Sequence, residues 1–389
     1  METGRYLRVF CGVILGGLVL AGLINLAVDP YSTFRWSDIQ GFNDQKHLKR
    51  GGGRVNKSVI LSRYPFDILF FGTSRAELGL DPNSPALEGA TAFNAAQAGT
   101  SMTEIRLEAL FAAEKQTPKT VIIDLDFLTF TPTDDLSGTA DFPESPYAGR
   151  SLVPIMVQRL ISWPSLLDCV MVFRNSVRHR PAVFTKFGNF DRSAVKSDIT
   201  RREAFTKVAQ DFLQPTKGYR GFIYNSERMS LLADVVARYR AQGVQVLLFV
   251  SPLHARQLEI MWEVGLFPDF ERWKRDLVAM LAQNSNGADV QLWDFSGYNS
   301  ITSEAVSEQM RWYWESSHYT KEAGDLVLDR MLRHPHGGGA GPDDFGIRLT
   351  PATIEHSLAT IRHGHNGYGR AFPAEVEDVR RLVRQTVSH

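Results

Sequence analysis

The apolar positions of this chain fall into two kinds of run. Residues 9–28 are almost wholly apolar, broken only by small glycines and Asn25. That is about the length a helix needs to span a bilayer. Further on, short β-prone runs alternate with amphipathic stretches. The runs are 66–71 (FDILFF), 91–94, 121–127 (VIIDLDF), 244–250 (VQVLLFV) and 290–295 (VQLWDF). Continuous apolar runs of this length predict strands covered on both faces. Helical patterns follow at 102–115, 227–242, 268–283, 302–314 and 321–332. Strand, helix, strand at this spacing is the βαβ pattern of a parallel sheet. The expectation is an α/β fold, a flavodoxin-like doubly wound parallel sheet of about five strands.

The rhythm breaks in three places. Residues 32–57 are polar and carry Gly51, Gly52 and Gly53 with Lys46, Lys49, Arg50, Arg54 and Lys57. They read as a solvated linker, or as a basic lip for an anionic polymer or lipid headgroup. Residues 132–224 hold prolines, aromatics and an amphipathic piece at 152–177. They read as a long, mainly helical insertion of the kind that carries specificity. Residues 334–344 (HPHGGGAGPDD) read as a glycine- and proline-rich linker, with short helices expected at 351–362 and 373–387. The predicted organisation is an anchor at 1–30, an α/β domain at 31–333 and a tail at 334–389.

Charge and composition narrow the classes. The 389 residues carry 43 basic and 43 acidic side chains, with only short Lys/Arg runs, so nothing points to a nucleic-acid surface. Cys11 and Cys169 make no disulfide framework. Arg5 and Arg8 precede the apolar run and Asp29 follows it, so the basic flank is expected in the cytoplasm and the globular part outside it. An uncleaved signal anchor is the favoured reading over a cleaved signal peptide, since no A-x-A-like site follows. His334, His336, His356, His363 and His365 fit no standard metal spacing, and no metal or cofactor is expected.

The chemistry-bearing residues lie at predicted strand ends, where ligands bind in open α/β sheets. Gly72-Thr73-Ser74-Arg75 closes the first strand. Thr73 and Ser74 both suit a helix cap, and Ser74 also suits a nucleophile. Gly99 follows the second strand, with Thr100 or Ser101 as cap and Glu104 at capping-box distance from Ser101. Glu315 lies three residues before His318, a spacing from which a carboxylate can orient an imidazole. The Ser74 and Gly99 N–H groups, on adjacent strand ends, are candidate oxyanion donors. His254 follows the fourth strand as a substrate ligand, an alternative base or a loop residue capping the next helix. Trp312, Tyr313 and Trp314 are sugar-stacking candidates, with core packing the commoner role of such clusters.

The ordered set FFGTSRAELGLDP, FNAAQAGTSMTE, VIIDLDF, LLFVSPLHA and WYWESSHYTKEAGD resembles the SGNH/GDSL hydrolase superfamily. It is most similar to the membrane-anchored bacterial branch that O-acetylates exported polysaccharides or assists D-alanylation of cell-wall polymers. The resemblance covers residues 66–332. It implies Ser74 as nucleophile, His318 as base, Glu315 as its orienting acid, and Ser74 and Gly99 as oxyanion hole. It implies a serine esterase or O-acyltransferase acting on acyl esters, acetyl above all, of a cell-envelope or exported polysaccharide. A membrane-bound O-acyltransferase is the implied partner, and the location is the bacterial inner membrane with the C-terminal domain periplasmic. Two positions depart from the pattern: Glu315 stands where Asp is usual, and Asp126 where an Asn donor is usual. Asp126 would repel an oxyanion unless it is protonated or holds Arg75. The alternative is a degenerate member that binds glycan or scaffolds an envelope complex.

Overall fold

The computed structural model describes residues 2–35, 38–46, 52–132, 141–214, 218–284, 289–334 and 339–387. Lys49, Arg50, Gly51 and His336, singled out above, lie outside them. The strands are β1 (Ile68–Phe71), β2 (Ala92–Asn94), β3 (Thr120–Leu125), β4 (Gln245–Val250), β5 (Val290–Asp294), β6 (Tyr313–Glu315), β7 (His318–Tyr319) and β8 (Ile347–Leu349). The first helices are α1 (Glu2–Val28), α2 (Gly53–Arg63), α3 (Ser74–Gly79), α4 (Met102–Lys115), α5 (Leu152–Ile161) and α6 (Trp163–Val177). They are followed by α7 (Arg201–Phe212), α8 (Met229–Ala241), α9 (Ala255–Glu263), α10 (Phe267–Asn284), α11 (Lys321–Leu332), α12 (Ile354–Ala371) and α13 (Pro373–Val387).

The chain divides into two compact units, one of residues 1–64 and 140–195, the other of residues 65–139 and 196–389. The stretch 132–224, read as a single insertion, is therefore shared between them.

The larger unit is built on a six-stranded sheet of order β2-β1-β3-β4-β5-β8. The first five strands are mutually parallel. This is the flavodoxin-like order. Strands β1 and β3 are buried at every position, as expected of strands covered on both faces. The sheet has six strands rather than about five. The sixth, β8, comes from the segment expected to be a tail and pairs antiparallel with β5, Leu292 opposite Leu349. Three residues long and flanked by polar sequence, it owes its extended form to that pairing. A second departure lies before the last β–α step. Of residues 302–314, expected to be helical, 302–312 form turns and irregular chain, and Tyr313 and Trp314 begin the β6–β7 hairpin.

In the smaller unit α1 has 27 residues and is the one helix among those described that is itself long and apolar enough to cross a membrane. Where it is described, the polar stretch after it is not a solvated linker. Gly53 to Leu61 of α2 are buried. The buried ammonium of Lys46 pairs with Asp38 at 2.7 Å, and Arg54 pairs with Asp141 at 3.3 Å. Those cations are consumed inside the unit and offer no open basic lip.

Candidate active site

β1 is followed by Gly72, whose φ of +146° few L-residues adopt and where an added Cβ would stand 2.8 Å from the Asp124 Cβ. The chain must turn tightly beside β3, and only glycine fits. Thr73 then caps α3, its Oγ1 accepting from the Arg75 N–H at 3.4 Å. Because Thr73 takes the cap, the Ser74 hydroxyl is left for another partner.

That partner is His318. Its Nε2 lies 2.7 Å from Ser74 Oγ, and its Nδ1 contacts Glu315 Oε1. The acid-x-x-His segment forms a hairpin that leads into α11. Glu315 pairs directly with His318, with Ser316 and Ser317 as the turn. The second carboxylate oxygen of Glu315 accepts the Ser317 N–H at 2.7 Å, so the acid is held at both oxygens. Glu315 is buried, whereas His318 and Ser74 are half-buried and reachable.

Contacts from several elements fix the hairpin. Gln257 Nε2 donates to the buried Ser316 Oγ at 2.8 Å. Arg201 of α7 donates to the Trp314 carbonyl at 2.9 Å and stacks its guanidinium on that indole. Tyr319 packs beneath α3 and α11, where a Cβ on Gly79 would fall 1.9 Å from the Tyr319 ring and one on Gly324 would fall 1.7 Å from the Gly79 carbonyl oxygen. The small residues let both helices close onto the tyrosine.

Arg75, next in sequence to Ser74, is buried. Its Nε donates to Ser317 Oγ at 3.3 Å and its Nη1 pairs with Asp126 Oδ1 at 2.8 Å. Asp126 also caps a short turn by accepting the Leu128 N–H at 3.0 Å. The carboxylate standing where an amide donor was expected is thus matched by a cation. Below it, burial pushes the Asp124 carboxyl up to about 7, against the Ser251 hydroxyl bonded to it and the Arg75 charge.

Gly99 lies on the loop after β2, exposed, with φ +74° and open space where a Cβ would stand. The Gln97 N–H donates to the Gly72 carbonyl at 3.1 Å and Thr100 Oγ1 to the same oxygen at 3.3 Å, holding this loop against the Gly72 turn. Ser101 caps α4, accepting from the Glu104 N–H.

His254 is placed otherwise than as a ligand or base. It is fully buried, its Nδ1 accepts from the Arg256 N–H at 3.1 Å and its Nε2 lies 2.7 Å from the Glu304 carbonyl. Burial pushes its pKa down to about 4, so it is a neutral cap of α9. Tyr313 is core, its hydroxyl bonded to the Pro252 carbonyl at 2.9 Å, and Trp312 packs partly buried against the same core. Among the tail histidines, His365 stacks on Trp262 and contacts Glu259, while His334 contacts Asp329. Among the described residues no three His, Cys, Asp or Glu converge as metal ligands.

Two contributors carried no sequence signal: Gly79 under Tyr319 and the arginine of α7 on Trp314. Each meets its partner over more than a hundred residues, and no local pattern marks the contact.

No family model matches the chain. No curated protein matches it either. It is similar to the solved structure of a Streptococcus pneumonia protein provisionally named a platelet activating factor, at 12% identity and a TM-score of 0.34, over 72% of this chain and 89% of that one.

Proposed function

We propose that this chain is a membrane-anchored serine esterase or O-acyltransferase. The observation that carries the reading is the unbroken hydrogen-bond chain from Glu315 through His318 to Ser74. The hydroxyl has its base, and the base has its orienting carboxylate. Ser74 Oγ attacks the acyl carbon while His318 Nε2 takes its proton. Negative charge gathers on the former carbonyl oxygen, and the Ser74 and Gly99 N–H groups are its donors. His318 then returns the proton to the departing alcohol, leaving an acyl group on Ser74. Water, or a hydroxyl of an acceptor glycan, attacks that ester with His318 again as base.

Asp126 does not set a bare negative charge beside the oxyanion, because Arg75 pairs with it. The acyl substrate class, esters of a cell-envelope or exported polysaccharide, rests on the resemblance of the strand-end motifs, as does a membrane-bound O-acyltransferase as partner. Anchoring rests on α1, and the outward orientation on Arg5 and Arg8 before it with Asp29 after it.

The second reading, a glycan-binding or scaffolding protein with a spent site, is favoured by one observation: the third strand offers Asp126 and no amide donor. A fluorophosphonate probe separates the two. The catalytic reading expects stoichiometric labelling that is lost in Ser74→Ala, together with loss of turnover of a simple acyl ester. Unlabelled wild-type protein, or turnover unchanged in the variant, overturns it.

A further inference from the structure

The apolar surface of the smaller unit does not end with α1. Helices α5 and α6 meet at Ser162 with a bend of 63°. Their outward positions are mostly apolar: Val153, Val157 and Ile161 on α5, then Trp163, Leu167, Val170 and Phe173 on α6, each between 43% and 69% exposed, with Gln158 and Arg174 as polar exceptions. Neither helix can span a bilayer. Ten and fifteen residues reach about 15 and 22 Å at the helical rise, against a hydrocarbon core of about 30 Å.

This surface is continuous with α1. The last two turns of α1 are its buried part, with Ala21, Asn25 and Val28 turned inward, while Val13, Leu15, Val19 and Leu23 are exposed. Val28 shares a buried cluster with Cys169 and Val172 of α6. Asn25, the polar exception in the apolar run, bonds to both helices. Its Nδ2 donates to the Leu160 carbonyl at 2.6 Å, and its Oδ1 accepts from Cys169 Sγ at 3.2 Å. A helix broken beside lipid leaves carbonyls without partners, and it persists there only where a neighbour supplies the missing donors. Asn25 supplies one at the bend.

The bend lies level with Gly22 to Asn25, since a Cβ on Gly22 would approach the Leu160 carbonyl to 4.0 Å. Six residues separate Gly22 from Val28 at the end of α1, or roughly 9 Å of helix. That is the depth at which interfacial helices bury their apolar face, about 5–10 Å below the headgroups. The end of α6 suits the same placement. Arg174, Arg178 and Arg180 gather, exposed, where α6 ends, and such clusters attract anionic headgroups.

We propose that α5 and α6 form a second membrane element, a monotopic bent helix pair inserted into the leaflet where α1 ends, with Asn25 bridging it to α1. Its occupant is the acyl-chain region of that leaflet. The proposal rests on α1 being inserted, and the test separates the two statements.

The full chain, with Cys11→Ser and Cys169→Ala, is placed in nanodiscs of phosphatidylethanolamine and phosphatidylglycerol. It is spin-labelled in turn at Leu18→Cys, Val170→Cys and Lys207→Cys. The expected result is that labels at 18 and 170 are both relaxed by oxygen and shielded from a water-soluble nickel complex, whereas the label at 207 is exposed to nickel. A lipid-shielded label at 18 with a nickel-exposed label at 170 overturns the second membrane element and leaves the anchor standing. Nickel exposure at 18 overturns both. A check with the native cysteines in place uses dibrominated lipids, with part of the tryptophan quenching expected to vanish in Trp163→Phe. Equal quenching in both proteins overturns the placement.

Discussion

Glu315 and His318 are paired directly across the β6–β7 hairpin, so the imidazole and the carboxylate that orients it sit on one four-residue unit. The distance between them is set by strand pairing and not by the meeting of remote loops.

Glu315→Gln tests what this pairing does. The hairpin should form, but a neutral amide neither fixes the imidazole tautomer nor stabilises the imidazolium. Turnover of a simple acyl ester is expected to fall by about 10²–10⁴, with the melting temperature little changed. Steady-state kinetics beside a thermal melt checks this, and full activity in a well-folded variant contradicts it.

Arg75 is bonded to Ser317 and Asp126 while its neighbour carries the candidate nucleophile, so on the proposed mechanism its role is positioning. Arg75→Ala leaves Asp126 unpaired and is expected to cost about 3–5 kcal/mol of stability. Adding Asp126→Asn should recover much of that stability but little of the turnover. A double-mutant cycle in stability and in kcat/KM reads the two effects apart.

Asp124 makes stability depend on pH. Burial raises its folded-state pKa from 3.8 to about 7. Within that window the folded protein holds a proton that the unfolded chain has released, so stability falls as pH rises through it and levels off above it. Asp124→Asn should flatten this part of the profile. Denaturant midpoints across the window, compared between the two proteins, check the sign.

Gly79→Ala drives a methyl into the buried Tyr319 ring. Overpacking of this kind costs about 1–3 kcal/mol. The ring adjoins His318 in β7, so fluorophosphonate labelling of Ser74 is expected to slow as well. A labelling rate equal to wild type in the destabilised variant would separate Tyr319 from the site.

The buried pair of Lys274 and Asp294, 2.7 Å apart, supports the end of β5. Lys274→Met leaves a carboxylate stranded in the core and is expected to cost about 3–5 kcal/mol, read by chemical denaturation.

The five parallel strands were legible because each is a closed apolar run cut by glycine, proline or a polar pair. Gly72 and the cap beside it were legible for the same reason. The hairpin was not. Tyr313-Trp314-Glu315-Ser316-Ser317-His318 holds no Asn-Gly or Gly at its turn, the usual mark of a two-residue hairpin loop. Strand β8 and helix α2 were hidden differently. Ile347 to Leu349 is extended because β5 offers an edge. Lys46 and Arg54 look like solvent residues until Asp38 and Asp141 arrive to neutralise them. The ion pair of Arg75 with Asp126 was foreseeable from charge alone, but its reach to Ser317 was not.

Arg75 gives the site a mechanical property. One peptide bond joins it to Ser74, and one more joins Ser317 to His318. The contact from Arg75 to Ser317 therefore closes a small ring: hydroxyl, backbone, guanidinium, turn, imidazole and back to the hydroxyl. Displacements of α3 or of the hairpin that preserve this ring carry the Ser74 hydroxyl and the His318 imidazole together, and on the proposed mechanism the gap a proton must cross is then expected to vary less than the position of either group.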